Sequence, residues 1–265
     1  MTHRNTLIHE KERLLDGLGS PEKAEFVADE FQRAAIDSVA QFHDTLVVAP
    51  TGAGKTYIAT EAISAFLSLN SRSVYTTPLK ALSNTKYVEL KRRFEPKHKV
   101  GILTGDRKID GDADVVVATT EIYRNELYRG SDRHALVILD EVHYLADPQR
   151  GPVWEESIIL TPQASTLLML SASISNAEEI AAWLLEVRGK PCNIVRAVTR
   201  PVELRYGFLH AFHGVIPLRD DRGRVHREVL SFYGSMQLDS SGRRLTTRGF
   251  RPRSGGGRPG RARRR

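Results

Sequence analysis

Short apolar runs alternate along the chain with longer stretches in which apolar residues recur at helical spacing. The apolar runs, such as VVVA at 115–118 and LVILD at 136–140, show no polar alternation. Strands with this pattern are buried on both faces, which is typical of a parallel sheet covered by helices. The pattern therefore predicts an open α/β fold, a predominantly parallel sheet with helices on both faces. The predicted strands are Thr45–Ala49, Ser73–Thr77, Val100–Leu103, Val115–Ala118, Leu136–Asp140, Leu167–Ser171 and Cys192–Val195, and the predicted helices cover 4–18, 55–68, 81–94, 121–128 and 177–187.

The alternation has clear limits, which predict how the chain is divided. Arg200-Pro201 ends it, and Gly214–His226 predicts a β-hairpin with its turn at Asp220–Gly223. After Leu238 the sequence is rich in Gly, Arg, Pro and Ser with almost nothing apolar, which is typical of disorder. The predicted parts are a helical extension at 1–24, an α/β domain at 25–199, a segment with the hairpin at 200–238 and a disordered tail at 239–265.

The charge of the chain is concentrated at one end. The 265 residues carry a formal net charge of +7, but residues 241–265 contain ten arginines, no lysine and no acidic residue. The first 240 residues therefore hold 29 basic and 32 acidic residues, a net charge of about −3. We hold two interpretations of this tail open. It is an electrostatic clamp for RNA, or it is a solvated linker or the product of a shifted reading frame.

Several classes of protein are excluded at this point. No apolar run approaches the ~20 residues that span a bilayer. The segment Met1–Lys11 is polar and has no apolar signal core, so we expect neither secretion nor a membrane association. Cys192 is the only cysteine, which rules out an intramolecular disulfide and predicts an inert packing residue. These features predict a cytoplasmic location.

The strongest chemical signal is the segment APTGAGKT at 49–56, between a predicted strand and a predicted helix. Gly52 and Gly54 let backbone N–H groups close around phosphate oxygens, and Lys55 brings a positive charge to the β/γ-phosphates. Thr56 offers its hydroxyl to Mg²⁺, and the helix N-terminus adds its positive dipole end. The alternative is a glycine-rich turn before an ordinary helix. The predicted nucleotide-binding residues of this loop are Thr51, Gly52, Ala53, Gly54, Lys55 and Thr56.

A second signal is the segment LVILDEVH at 136–143, where an apolar strand delivers two carboxylates at its C-terminal end. Open α/β sheets bind ligands at this end of their strands. Asp140 is predicted to hold Mg²⁺, directly or through water, and Glu141 to polarise an attacking water. His143 completes the candidate catalytic set with Lys55. Glu141 as a plain surface acid and His143 as a hydrogen-bonded packing residue remain alternatives.

The tetrapeptide Asp140–His143 matches the DExH box of superfamily-two helicases. Other segments resemble the superkiller-type branch of that family, which includes the exosome-associated RNA helicases. The resemblance covers about residues 25–238, in the family's order, and implies a RecA-like motor domain that uses ATP and Mg²⁺. The matching segments are FVADEFQ at 26–32, PLKALSNTKY at 78–87, TGD at 104–106, TTEI at 119–122, RGPVWEE at 150–156, SAS at 171–173 and RPV at 200–202, with the hairpin as the bridge to a second domain.

This resemblance implies further site residues. Phe26 and Gln32 would read the adenine, and Ser171 and Ser173 would couple hydrolysis to movement, although Ser173 replaces the family's threonine. Capping of a helix by Thr119 and Thr120 is an alternative to nucleic-acid contact, and we expect Trp154 to be packed rather than stacked on a base. Lys86 adds a positive charge to the segment PLKALSNTKY at 78–87. The implied nucleic-acid contacts are Pro78, Lys80, Ser83, Asn84, Thr104, Gly105, Asp106, Thr119 and Thr120.

The family's second motor domain carries the pattern Gln-x-x-Gly-Arg-x-Gly-Arg, which we do not find in this sequence. The resemblance implies that arginines of this second domain stabilise charge on the transferred phosphoryl group. An arginine in this role raises the rate of hydrolysis by roughly 10³–10⁵-fold. We therefore expect the 265-residue chain to bind Mg·ATP weakly and to show little RNA-stimulated hydrolysis. Three hypotheses follow: half of an ATP-dependent RNA helicase, an ATP- and RNA-binding module with little hydrolysis, or an assembly partner without chemistry.

The resemblance also implies partners. RNA, single-stranded or as a 3′-tailed duplex, is the implied substrate, and DNA is not excluded by any residue in the sequence. An RNA-degradation complex is an implied partner assembly, and a second motor domain is expected in a full-length protein. Intact Lys55, Thr56, Asp140 and Glu141 argue against a purely structural role.

Overall fold

A computed structural model describes residues 3–16, 27–130, 133–197, 204–234, 236–238 and 244–246. The helices are α1 His3–Leu15, α2 Glu30–Ala40, α3 Lys55–Ser68, α4 Lys80–Phe94, α5 Thr120–Tyr128, α6 Gly151–Leu160, α7 Ala177–Arg188 and α8 Arg227–Gly234, with a 3-10 helix at Val142–Ala146. The strands are β1 Asp44–Val48, β2 Ser73–Thr77, β3 Val100–Leu103, β4 Lys108–Ile109, β5 Val115–Thr119, β6 Leu136–Leu139, β7 Thr166–Ser171, β8 Cys192–Arg196, β9 Gly207–His210, β10 Gly214–Pro217, β11 Met236–Leu238 and β12 Arg244–Thr246.

The chain divides into two compact units, and the larger one, residues 25–203, is built on an eight-stranded sheet. The strand order is β4-β3-β5-β2-β6-β7-β1-β8, and every neighbouring pair is parallel except β3 with β4. The apolar strands are buried on both faces, and one hydrophobic cluster lies on each side of the sheet. All seven strands expected from the sequence are present in this sheet, so the predicted fold class is confirmed.

The strand order brings the loops of interest to one edge. In a parallel sheet, all strands end at the same edge. The central strands β2, β6, β7 and β1 are neighbours there. The phosphate-loop candidate follows β1, and the carboxylates follow β6, so only β7 separates their strands.

A buried ion pair lies at the opposite edge of the sheet, where β1 begins. The Arg188 Nε donates to Asp44 Oδ2 at 2.7 Å, and both side chains are almost fully buried. Arg188 also donates to the carbonyls of Thr161 and Ser165, while Asp44 accepts the backbone N–H of Leu167. The pair therefore joins the end of α7 to the starts of β1 and β7.

The smaller unit combines residues 1–24 with residues 204–265. In it, α1 packs on the hairpin that β9 and β10 form. Lys11 Nζ donates to the His213 carbonyl at 2.9 Å, and Glu10 Oε2 lies 3.1 Å from His226 Nε2. The segment predicted as a separate N-terminal extension is therefore part of this unit.

The hairpin differs from its prediction at 214–226. Its strands are Gly207–His210 and Gly214–Pro217, and the expected turn follows them as a separate feature, closed by a single bridge between Arg219 and Val225. The Asp220 carboxylate accepts N–H groups inside this turn, which holds it without strand pairing.

The predicted disordered tail is described only in part. The tail contains β12, which pairs with β11 just before the tail, and the sequence did not predict this pairing. The rest of the tail lies outside the described residues. Among the described helices, none is long and apolar enough to cross a membrane.

Candidate nucleotide site and nucleic-acid surface

The loop between β1 and α3 has the backbone geometry of a phosphate cradle. Gly52 and Gly54 have positive φ angles, of 85° and 80°, which side-chain-bearing residues rarely adopt. A Cβ at Gly54 would also collide with the side-chain amide of Gln32, so both its positive φ and its surroundings favour glycine. Thr51 and Gly52 are exposed, whereas Ala53 is buried. The loop therefore turns its exposed residues outward at the N-terminus of α3.

Lys55 lies inside this loop at the first position of α3. Its Nζ donates to the carbonyls of Ala49 at 2.7 Å and Pro50 at 3.2 Å. These contacts hold the positive charge against the loop, next to the dipole end of the helix. A phosphate bound by the loop would therefore contact the Lys55 ammonium and the positive end of the helix dipole.

Gln32 is buried and ties α2 to the loop. Its Oε1 accepts the backbone N–H of Asp29 at 2.9 Å, and its Nε2 donates to the Ala53 carbonyl at 3.0 Å. Nε2 thus supports the loop, whereas Oε1 caps the start of α2. Adenine reading by Gln32 stays a prediction. Phe26 lies outside the described residues.

The Asp140 carboxylate lies directly after β6 and is held from both sides. Oδ2 accepts the Tyr75 hydroxyl at 2.8 Å, and Oδ1 accepts the backbone N–H of Glu141 at 2.9 Å. Burial raises the pKa of Asp140, while these two hydrogen bonds and the charges of Lys86 and Lys55 act in the opposite direction. Burial and the Asp140 charge raise the pKa of Tyr75 well above its ordinary value, so its hydroxyl stays a donor.

Glu141 and His143 stand next to Asp140 with their side chains turned toward each other. Glu141 has a positive φ of 55°, an unusual conformation that re-aims the carboxylate after the strand. Its Oε2 lies 3.3 Å from His143 Nδ1, and among the described residues neither atom has a hydrogen-bond partner. A buried carboxylate oxygen that accepts no hydrogen bond from the protein is well placed to accept a hydrogen bond from a bound water.

An aromatic stack supports His143 from behind. The His143 ring stacks on Tyr144 at 4.9 Å, and Tyr144 stacks on Trp154 at 5.2 Å. Trp154 is fully buried and donates to the Asp140 carbonyl at 3.4 Å, so its predicted packing role is confirmed. His143 therefore has a packing contact as well as its contact with Glu141.

Magnesium fits the donors that lie here. The Thr56 hydroxyl and the Asp140 carboxylate are hard oxygen ligands, which Mg²⁺ prefers. Lys86, placed with the nucleic-acid segment by the sequence, instead donates to Thr56 Oγ1 at 2.9 Å. The sequence could not show this because it depends on which face of α4 packs inward.

The predicted nucleic-acid contacts fall into two groups. The side chains of one group are buried and hold the strand ends together: Ser83 Oγ lies 2.7 Å from Thr77 Oγ1, and Thr120 Oγ1 donates to the Thr77 carbonyl. Their hydroxyls therefore hold the strand ends in this conformation. Contact of Ser83 and Thr120 with nucleic acid stays a prediction. The buried set is Pro78, Ser83, Thr104, Thr119 and Thr120, and the accessible set is Lys80, Asn84, Gly105 and Asp106.

The accessible set forms a continuous surface between α4 and the loop after β3. Lys80 Nζ lies 3.4 Å from Asp106 Oδ1, and Thr104 Oγ1 donates to the same oxygen at 2.8 Å. Arg107, which the sequence analysis missed, donates to Asn84 and lies over the Tyr87 ring. Arg107 directly follows the segment TGD at 104–106, and this position in the sequence could have identified it as a candidate contact.

The coupling residues lie where β7 ends. Ser171 is buried, and its Oγ has no hydrogen-bond partner among the described residues. Ser173 is exposed and lines a cavity of about 470 Å³ that His143, Glu155 and Trp183 also line. The cavity places Ser173 near Val142 and His143, and the coupling role of Ser171 and Ser173 stays a prediction. Cys192 is mostly buried, and burial raises the pKa of its thiol to about 12, which agrees with an inert packing residue.

The fold and this site together define a nucleoside-triphosphate-binding motor domain of the RecA-like class. The DEAD/DEAH box helicase family matches residues 29–180, more than half of the chain, and the chain belongs to this family.

Curated relatives support this assignment. The chain is 42% identical over 207 residues to the DExH-box ATP-dependent RNA helicase DExH9 of Arabidopsis thaliana, covering 77% of this chain and 21% of that protein. It is 46% identical over 184 residues to the probable helicase HelY of Mycobacterium leprae, covering 68% and 20%. It is 40% identical over 236 residues to the exosome RNA helicase MTR4 of Homo sapiens, covering 84% and 22%. The chain thus spans about a fifth of the length of these relatives.

A solved structure shows the same fold. The DUF1998 helicase MrfA, determined bound to DNA, superposes with a TM-score of 0.56 over 70% of this chain and 29% of that one, at 19% identity. At this identity the likeness concerns the fold alone.

Proposed function

We propose that this chain is the nucleotide-binding motor domain of an ATP-dependent RNA helicase. The observation that carries the proposal is the convergence of the loop at 49–56 with Asp140 and Glu141 at one edge of the sheet. The name of the DExH9 relative, at 42% identity, supports ATP as the nucleotide and RNA as the partner, and the name of the exosome RNA helicase, at 40% identity, supports RNA.

The residues support a division of labour in the nucleotide site. The loop N–H groups and Lys55 bind the phosphates, and the helix dipole strengthens this binding. Thr56 and Asp140 would hold Mg²⁺, which supplies charge neutralisation of the triphosphate when bound. Glu141, with a carboxylate oxygen unpaired among the described residues, accepts a hydrogen bond from water and orients it for attack on phosphorus.

The surface formed by Lys80, Asn84, Arg107 and the loop at 104–106 is proposed to bind the sugar–phosphate backbone. It offers cationic and amide donors, which can contact phosphate oxygens without regard to base sequence, as a translocating motor needs. Lys80 and Asn84 stand at the start of α4, whose later turns reach the nucleotide site through Lys86.

We extend the proposal to the partners and location that the sequence predicts. RNA is preferred over DNA because the curated relatives compared above include RNA helicases, while the DNA-bound structural neighbour keeps DNA as an outcome of the test. The exosome relative supports an RNA-degradation complex as a partner. The proposed cytoplasmic location rests on the single cysteine, which suits a reducing compartment.

Single-turnover hydrolysis with protein in excess over ATP tests the chemistry, because this format detects a slow reaction. We expect hydrolysis by the wild type and its loss in Glu141→Gln, with Mg·ATP binding retained. Glu186→Gln is the matched control, since Glu186 is an exposed acid on α7. Wild-type hydrolysis by Glu141→Gln would remove the role assigned to Glu141.

Fluorescence anisotropy with a U-rich RNA and the corresponding DNA tests the partner. We expect tighter binding to RNA, and deletion of residues 241–265 should sharply reduce the dependence of the binding constant on salt. Equal affinity for both strands would contradict the preference for RNA, and an unchanged salt slope would show that the tail is not the electrostatic site.

A further inference from the structure

Lys86 occupies an unusual place for a lysine in the middle of a helix. Its side chain is only 16% exposed, and its ammonium group points into the nucleotide site rather than to solvent. Nζ donates to Thr56 Oγ1 at 2.9 Å and to Glu89 Oε2 at 2.8 Å. A buried cation of this kind has to be held by its partners, because removal of an ion from water is costly.

The same ammonium is linked to the second oxygen donor that fits magnesium. Nζ lies 5.9 Å from the centroid of the Tyr75 ring, within the range of a cation–π contact. The Tyr75 hydroxyl in turn donates to Asp140 Oδ2 at 2.8 Å. One positive charge therefore stands beside both Thr56 and the Tyr75–Asp140 pair.

α4 presents different lysines to two sites. Lys80 at its first residue is exposed on the candidate nucleic-acid surface, whereas Lys86 faces inward. Lys86 follows Lys80 by six positions on the same helix, so one rigid element contacts both the nucleic-acid surface and the nucleotide site. A change in the contacts of Lys86 is thus a change in how this helix is held.

A divalent cation bound by Thr56 would conflict with the present position of Lys86. Like charges within a few ångströms repel each other strongly in a partly buried site. The Thr56 hydroxyl can remain with the ammonium or pass to the metal, and each arrangement disfavours the other.

We propose that Lys86 is a positioning residue of the magnesium site, which holds the Thr56 hydroxyl in the metal-free state and releases it when Mg²⁺ binds with nucleotide. This inference rests on the nucleotide site of the proposed function. Lys86 supplies a positive charge to the phosphates of metal-free ATP. When Mg²⁺ is bound, the metal would neutralise the phosphate charge instead. The contact of α4 with the site then differs between the two states.

Equilibrium binding of a fluorescent ATP analogue, in excess Mg²⁺ and in excess EDTA, tests the proposal. The quantity of interest is the ratio of the metal-free dissociation constant to the Mg²⁺ dissociation constant. Lys86→Met should raise this ratio about tenfold, because it removes a charge-assisted contact only from metal-free nucleotide. Lys86→Arg, which keeps the charge, should bring the ratio back toward the wild-type value.

Lys91→Met is the matched control. It removes the same charge from the same helix, but the exposed Lys91 ammonium pairs with Glu95 and lies over Tyr87. An unchanged ratio in Lys86→Met, the same change in Lys91→Met, or a wild type that binds only in Mg²⁺ would each overturn the inference. A wild type that binds the analogue in neither condition would overturn the proposed function itself, and this inference with it.

Discussion

The buried pair of Arg188 and Asp44 gives the sharpest prediction of stability. Arg188→Met keeps most of the side-chain volume but leaves the Asp44 carboxylate buried, with the Leu167 N–H as its remaining hydrogen-bond donor among the described residues. It also leaves the Thr161 and Ser165 carbonyls without the guanidinium donors. The perturbation therefore creates an uncompensated charge and two weakened acceptors in a site closed to water.

The expected cost follows from the burial of both partners. Breaking a buried ion pair by removing one partner costs about 3–5 kcal/mol, against a total stability of about 5–15 kcal/mol for a domain. With a urea dependence of about 1–3 kcal/mol per molar, the midpoint of unfolding should fall by about 2 M. Replacement of both partners by apolar residues should recover part of this loss, because no buried charge remains.

Tryptophan fluorescence in urea is the assay. Both tryptophans, Trp154 and Trp183, lie in the sheet unit, so the signal reports this unit alone. ATP affinity measured on the folded fraction should stay near the wild-type value, since the pair lies at the opposite edge of the sheet from the loop. A cost below about 1 kcal/mol, the level of an exposed pair, would refute the reasoning.

Three further predictions concern the site and the acid stability of the chain. Arg107→Ala should weaken RNA binding in an anisotropy titration and lower the salt slope by about 1, whereas the exposed Lys97→Ala should lower it less. Gly54→Ala should abolish binding of an ATP analogue and destabilise the sheet unit by more than Gly189→Ala, which has a similar positive φ but where a Cβ would meet only the Gln163 amide at an ordinary 3.9 Å. Burial, with the charges of Arg72 and Arg133, lowers the pKa of His134 to about 4, below its ordinary value. The folded state thus binds fewer protons there, so stability falls as pH decreases from about 6.5 to 4, and His134→Gln should flatten this part of the urea-midpoint profile.

The sequence predicted the sheet well because its strands are buried on both faces. Continuous apolar runs such as Val115–Thr119 are recognisable without any knowledge of their neighbours. It missed α6, where Pro152 at the start and the buried Trp154 obscured the helical pattern. It also predicted the hairpin too far along the chain. The residues around Asp220 are typical of a hairpin turn, but in the structure this turn is flanked by only one bridge, between Arg219 and Val225.

Some residues of the candidate site could likewise be predicted from the sequence, and others could not. The loop at 49–56 and Asp140 follow strands directly, so their chemistry could be derived from local sequence. The inward position of Lys86 and the burial of Ser83 and Thr120 depend on how helices pack on the sheet. Such positions are set by tertiary contacts, which residue spacing along one element does not specify.

The central claim is that the loop at 49–56 binds ATP, and calorimetric titration of ATP with Mg²⁺ into the whole chain tests it most directly. We predict saturable one-to-one binding by the wild type and by Lys97→Ala, and a loss of affinity of about tenfold or more in Lys55→Ala with the fold intact. Wild-type affinity in Lys55→Ala, or no binding by the folded wild type, would contradict the account.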